Sequence, residues 1–340
     1  MPCGLENLRR VHRLILVCCA FACSIGCNFA KSVSPRKTAT SVLEMDSIPR
    51  TSQRLARGKY LVEGLTQCFF CHSEIDYKHR GSQPLPGKKG GGFIFPPEES
   101  EVPAPYRVVA PNISPDPEYG AGKWKDSDFV RALQQGIGHD GRTLFPLMPY
   151  HYFRNLSDED LASIIVYVRS IAPVHIQRPK TELPEEIERT LQPLPPLEQV
   201  PSDRVQYGEY LVTLGHCDLC HTPTDEKGNA MPGMAFAGGQ LLIGPWGPAV
   251  ASLNLTPDPS GIFYFDETMF INAIRHGRVQ ARLLSNAMPW GYFRNLSDED
   301  LKAIFAYLRT LKPVKHRVDN TEPPTYCKLC RARHGLGDRN

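Results

Sequence analysis

The chain has 340 residues, and at roughly 150 residues per domain this length suits about two domains. Hydrophobic residues make up 41%, enough for buried cores, while 27 Gly and 31 Pro point to many turns and disfavour a coiled coil or long helical bundle. Lys and Arg number 39 against 36 Asp and Glu; a net charge of +3 without a local basic patch excludes nucleic acid as a partner.

At the N-terminal end, Arg9, Arg10 and Arg13 precede an apolar run from Leu14 to Ala22, the order of an export signal. The run is shorter than the ~20 apolar residues of a spanning helix, which disfavours a permanent transmembrane anchor. Ala20-Phe21-Ala22 fits simple signal cleavage. Ser24-Ile25-Gly26-Cys27 resembles a bacterial lipobox, with Ser24 where such boxes usually carry Leu. Residues 1–27 are therefore expected to be an export signal with Cys27 as a lipid attachment point, placing the mature chain outside the cytoplasm, at a periplasmic membrane surface. Residues 28–53 are rich in Ser, Thr and Lys and lack an apolar period, which predicts a flexible tether.

The remainder contains one pattern twice. Tyr60-Leu61-Val62 before Cys68-Phe69-Phe70-Cys71-His72 is answered by Tyr210-Leu211-Val212 before Cys217-Asp218-Leu219-Cys220-His221. Asn112-Ile113-Ser114-Pro115-Asp116-Pro117 is answered by Asn254-Leu255-Thr256-Pro257-Asp258-Pro259, and Met148-Pro149 by Met288-Pro289. Tyr152 to Leu161 and Tyr292 to Leu301 are the same ten residues. Between the copies, residues 173–203 carry Pro173, Pro179, Pro184, Pro193, Pro195, Pro196 and Pro201, which predicts a semi-rigid linker with at most a helical turn near Glu185 to Leu191.

Three helices per copy follow from the pattern. The first leads into C-x-x-C-H. The second runs from about Ser127 to Gln135 and from Glu267 to His276, each followed by a glycine, Gly136 or Gly277, suited to a left-handed cap. The third starts at Ser157 or Ser297, where Ser-Asp-Glu-Asp supplies a capping hydroxyl and acids for the positive helix end. Leu161, Ile164, Ile165, Val168 and Ile171 then form one apolar face, as do Leu301, Ile304, Phe305, Leu308 and Leu311.

In C-x-x-C-H, two thiols on one helical turn can add to the two vinyl groups of one haem, and the following His reaches the iron. A disulfide or half of a zinc site is the alternative, but a zinc site needs a second ligand pair close by, and neither copy carries one. Two covalent haem c groups are therefore expected, on Cys68, Cys71 and His72 and on Cys217, Cys220 and His221.

With these motifs in view, each copy resembles a class I c-type cytochrome domain. The N-I-S-P-D or N-L-T-P-D stretch, the helix after it, M-P-Y or M-P-W, and L-S-D-E-D-L resemble the cytochrome c subunits of membrane-associated bacterial alcohol and sugar dehydrogenases. The resemblance covers residues 54–172 and 204–314 and departs from those subunits in having two haem motifs where they commonly have three. It implies an all-α fold of two tandem cytochrome c domains joined by the Pro-rich linker. It also implies electron transfer in place of substrate turnover.

Methionine opposite His is the sixth ligand to test. Met148 has no competitor within the first copy, since Met45 lies in the tether; in the second, Met231, Met234, Met269 and Met288 are all available. The repeat selects Met148 and Met288, which share a following Pro and the same spacing to Tyr152 and Tyr292. His139, His151, His216 and His276 are assigned structural roles. Arg142, Arg278 and Trp124 are candidates for haem propionates or for packing.

Cys327 and Cys330 precede Arg331 where haem attachment requires His, so residues 315–340 are expected as a disordered basic tail with a disulfide or free thiols there. A metal site using His334 is the alternative. Two His/Met-ligated haems make the chain an extracytoplasmic electron carrier, not an enzyme, between a dehydrogenase or other respiratory donor and a terminal oxidase or another cytochrome. The alternative, a dihaem peroxidase, requires an accessible iron and nearby acid/base groups.

Overall fold

The computed structural model describes residues 47–100, 102–185, 195–225 and 228–340. The export segment with Cys27, the tether up to residue 46 and the turn expected beyond Glu185 lie outside them. In chain order the elements are α1 (Ser52–Tyr60), α2 (Cys68–Cys71), β1 (Phe93–Phe95), α3 (Pro97–Ser100), β2 (Val108–Ala110), α4 (Asp126–Gln135), α5 (Tyr150–Phe153) and α6 (Asp158–Val168). They continue with α7 (Arg204–Leu214), α8 (Cys217–His221), β3 (Leu241–Gly244), β4 (Gly247–Ala251), α9 (Glu267–His276), β5 (Arg278–Val279), β6 (Arg282–Leu283), α10 (Trp290–Phe293) and α11 (Asp298–Leu308). β7 (Pro324–Tyr326) and β8 (Arg333–Gly335) close the list with a 3-10 turn at Gly337–Arg339.

The helix starts follow local chemistry. Ser157 and Ser297 accept from the N–H groups of Asp160 and Asp300, and Gly136 and Gly277 end α4 and α9 with φ of 66° and 62°, as the sequence predicts. The apolar faces of α6 and α11 are buried at Leu161, Ile164, Ile165 and Val168 and at Leu301, Ile304, Phe305 and Leu308, each side chain contributing about 1.5–3 kcal/mol. α1 packs on α6, and α7 on α11, with backbones in contact. A Cβ on Gly58 would lie 1.9 Å from the Ser163 carbonyl oxygen, and one on Gly208 2.0 Å from that of Ala303.

The two sequence copies share one continuous core. Matched residues exchange across it: Tyr60 donates to Asp300 at 2.5 Å while Tyr210 donates to Asp160 at 2.8 Å. The same hydroxyls accept from the opposite helix starts, Tyr60 from the Ser297 N–H at 2.8 Å and Tyr210 from the Ser157 N–H at 3.3 Å. This reciprocal pairing gives a physical use to the repeated tyrosine and to the repeated Ser-Asp-Glu-Asp.

Three expectations need correction. Among the described residues helices make up 32% with few strands, consistent with a cytochrome c fold, but four short antiparallel hairpins stand there where all-α was expected: β1–β2, β3–β4, β5–β6 and β7–β8. Their strands of two to five residues are too brief to show a period of two. The last tether residues are folded, because Ile48 is buried and its N–H donates to Asp126 at 2.8 Å. Residues 315–340 are likewise folded, not a disordered tail. Asn320 pairs both ways with the Ala251 backbone at 2.8 Å, and β7 pairs with β8.

Candidate functional site

Both C-x-x-C-H motifs sit on short helices that start afresh. The first helix was expected to run into the motif; instead the chain breaks at Gln67 and His216, with φ of 41° and 40°. Neither residue is glycine, so nothing in the sequence marks the left-handed turn. The two break residues meet, Gln67 Nε2 lying 3.2 Å from His216 Nε2, so the starts of the two motifs face each other. Burial pushes the His216 imidazole down to about 4 and keeps it neutral.

The motif histidines are oriented alike. His72 Nδ1 lies 2.9 Å from the Pro111 carbonyl and His221 Nδ1 2.7 Å from that of Leu253. An Nδ1–H donated to a carbonyl fixes the tautomer that leaves Nε2 free to bind a metal. Burial lowers the pKa of both rings, which favours the neutral ligand form.

The N-I-S-P-D and N-L-T-P-D motifs hold these carbonyls in place. Asn112 donates to Val174 O at 2.7 Å and Ile176 O at 3.1 Å, and its own oxygen accepts from the Ser114 hydroxyl at 2.7 Å. Asn254 repeats the pattern with Val314 O at 2.8 Å, His316 O at 3.2 Å and the Thr256 hydroxyl at 2.8 Å. The sequence singled out the motif without assigning it this role, because its partners lie 60 or so residues away.

One cavity of about 1850 Å³, mainly apolar, takes in both motifs. Cys68, Cys71, His72 and Met148 line it from the first copy, and Cys217, Cys220, His221 and Met288 from the second. A single small-molecule pocket is typically ~300–1,000 Å³, so this space suits more than one large ligand. Burial pushes the thiols of Cys68 and Cys220 up to about 11 and that of Cys217 to about 12, so these groups stay protonated near neutral pH. Two buried polar atoms in the wall, Trp246 Nε1 and Gln67 Oε1, have no hydrogen-bond partner among the described residues. Paired thiols, tautomer-fixed histidines, methionines and unmatched polar atoms around an apolar space fit haem c.

The two methionines occupy matched loops. Met148 and Met288 precede Pro149 and Pro289, the residues before α5 and α10, and the next N–H folds back on each methionine carbonyl at 2.8 Å. The competing Met231 and Met234 pack beside Cys327 and Cys330, and Met269 sits on α9 away from the cavity. Arg142 and Trp124 line the wall, Arg142 paired with Asp140 at 2.6 Å and Trp124 stacked on His139 at 4.4 Å. Arg278 does not line it, whereas Arg282 on β6, not singled out from the sequence, does. His151 packs on Tyr152 and His276 bonds the Asn272 carbonyl, both outside the wall.

No family model matches the chain. Among curated proteins, the cytochrome c subunit of the quinone alcohol dehydrogenase of Gluconobacter oxydans is 30% identical over 284 residues, 76% of this chain and 55% of that subunit. The chain is a homologue of dehydrogenase cytochrome c subunits. The cytochrome c subunit of gluconate 2-dehydrogenase from Pantoea cypripedii is 28% identical over 75% of this chain and 59% of its own length. A dihaem c-type cytochrome of Cereibacter sphaeroides is 26% identical over 61% of this chain and 72% of its own length. The chain spans a little over half the length of the dehydrogenase subunits it matches here. Among the described residues no helix is long and apolar enough to cross a membrane.

Proposed function

We propose that the chain carries two covalent haem c groups and relays single electrons from a dehydrogenase or other respiratory donor to a downstream oxidase or cytochrome. In this reading residues 54–172 and 204–314 are tandem class I cytochrome c domains joined by the Pro-rich linker 173–203. Cys68 and Cys71 would hold the first haem, with His72 and Met148 as its iron ligands; Cys217, Cys220, His221 and Met288 would do the same for the second. Bound haem supplies reversible one-electron chemistry. The protein's own groups would orient and surround it: the Pro111 and Leu253 carbonyls set the histidine tautomers, and the wall is mainly apolar. With a histidine and a methionine held to each iron, no coordination site would be left for a substrate. An export segment ending in a lipid on Cys27 holds the chain at the periplasmic membrane surface.

The observation that carries this reading is the lining of one apolar cavity by both complete Cys, Cys, His and Met sets. The relatives are described as cytochrome subunits, which does not favour the peroxidase alternative. The test is the intact mass of the denatured protein. Two haems are expected to stay attached, with one lost in Cys68→Ala/Cys71→Ala and the other in Cys217→Ala/Cys220→Ala. One or three covalent haems on the unaltered chain contradict the proposal. The mature N-terminus checks the anchor: diacylglycerol on Cys27 is expected, and a free N-terminus at Cys23 rules it out.

A further inference from the structure

Away from the haem cavity, residues 315–340 bring together His316, Cys327, Cys330 and His334. All four are buried, and their ligand atoms lie within 4.8 Å of one another. The spacing is H-x10-C-x2-C-x3-H, with Cys327 directly after β7, Cys330 in the hairpin turn and His334 on β8. Arg331, at φ 58°, and the Cys327 N–H to Ala332 O bond at 3.0 Å curl the turn so that both sulfurs point to the same space. We infer that these four side chains form a closed structural zinc site.

Four observations carry this. First, the distances suit a tetrahedral S2N2 centre: His316 Nε2 lies 3.4 Å from Cys327 Sγ and His334 Nε2 3.3 Å from Cys330 Sγ, against an ideal S–N edge of about 3.6 Å for Zn–S of ~2.3 Å and Zn–N of ~2.05 Å. Second, both rings are already set as ligands. His316 Nδ1 bonds the Ala237 carbonyl at 2.8 Å and His334 Nδ1 the Gly335 carbonyl at 3.0 Å, so both Nε2 lone pairs face the sulfurs. A Cys327–Cys330 disulfide would leave these two buried nitrogens unmatched. Third, the charge closes: binding Zn²⁺ releases one proton from each thiol, and two thiolates with two neutral imidazoles make a site of zero net charge, suited to burial. Fourth, the segment is held by hydrogen bonds with little apolar packing of its own. Its small core of Met234, Ala237, Cys327 and Cys330 contains only two residues of its own, both cysteines, and so small an apolar cluster needs a staple.

Four protein ligands leave no open position, so the role is structural, not catalytic. Through His316 the site grips the Ala237 carbonyl. The next residue, Gly238, donates its N–H to the His221 carbonyl at 2.7 Å, which ties the metal to the loop of the second C-x-x-C-H motif.

The test uses the full-length protein, purified without chelator. Elemental analysis is expected to find one zinc per chain beside the iron, and X-ray absorption at the zinc edge two sulfur and two nitrogen scatterers. Cys327→Ser/Cys330→Ser should lose the zinc and keep its covalent haem. Three results overturn the inference: zinc-free protein with a Cys327–Cys330 disulfide, zinc-free protein with both thiols open to alkylation, or zinc retained by the double variant. The metal content and zinc-edge spectrum of the unaltered protein decide the matter even if the variant does not fold. They are independent of the haem assignment.

Discussion

The segments that follow α6 and α11 do the same job with different chemistry. In the first copy Arg178 reaches back to the Gly91 carbonyl at 2.9 Å and is anchored by Glu74 at 2.5 Å. In the second, His316 reaches the Ala237 carbonyl at 2.8 Å and belongs to the buried cysteine and histidine cluster. Gly91 and Ala237 are equivalent positions, since the N–H of the next residue, Gly92 or Gly238, donates to the His72 or His221 carbonyl at 2.9 or 2.7 Å. A repeated site therefore needs its histidine loop clamped, and the clamp itself is free to diverge. An ion pair with a half-exposed carboxylate is open to salt; a buried cluster is open to chelation or oxidation.

The copies also diverge where they meet, and the largest mutational effect is expected there. Asp160 holds Arg57 in a two-pronged pair at 2.8 and 2.9 Å besides accepting from Tyr210, whereas its counterpart Asp300 accepts only from Tyr60 and Tyr207, at 2.5 and 3.0 Å, among the described side chains. Asp160→Ala should cost about 3–5 kcal/mol, because it strands a partly buried guanidinium. Asp300→Ala, which leaves neutral hydroxyls, should cost about 1–3 kcal/mol. Denaturant unfolding of the holoprotein measures both, and equal losses would show that the Arg57 charge is immaterial.

Gly58→Ala and Gly208→Ala should each cost about 1–3 kcal/mol, by the same measurement, through overpacking. Their added carbons meet backbone oxygens at 1.9 and 2.0 Å, so the two losses should match and thereby mark the part of the repeat that has not diverged.

Arg178→Ala should be milder, about 1 kcal/mol, and its effect should shrink with added salt. Amide exchange is expected to quicken around Gly91 and Gly92 and to stay unchanged around Ala237 and Gly238. Exchange that quickens in both loops would show that the two clamps are not independent.

The smallest effect is the alkaline limit. Burial, aided by the Asp300 carboxylate, pushes the Tyr60 hydroxyl up to about 12, and burial with Asp160 raises Tyr210 in the same direction. The unfolded chain releases these protons near pH ~10. The stabilisation is thus complete below that pH and declines as pH rises towards the folded-state values. Tyr60→Phe should flatten the decline, as read from unfolding midpoints between pH 9 and about 12.

Much of this was legible in the sequence because it is local. Ser157 and Ser297 mark helix starts, Gly136 and Gly277 mark helix ends, and the C-x-x-C-H spacing carries its own chemistry. The rest depends on partners distant in sequence. The breaks at Gln67 and His216 use non-glycine residues in a conformation that no composition rule flags. The hairpins are too short for a period, and the fold of residues 315–340 rests on Asn320 meeting Ala251 and on four ligand-type side chains meeting each other, not on an apolar pattern.

On the proposed function, both copies hold iron between histidine and methionine and so carry electrons without turning over a substrate. The most direct measurement is the weak near-infrared sulfur-to-iron band of the oxidised protein, followed alongside peroxide turnover. If His and Met hold both irons, a band is expected from both haems, about half of it lost in Met148→Ala and about half in Met288→Ala, each with a lower potential for that haem, and negligible peroxide turnover by the unaltered protein. A band from one haem only, together with rapid peroxide turnover, would contradict it.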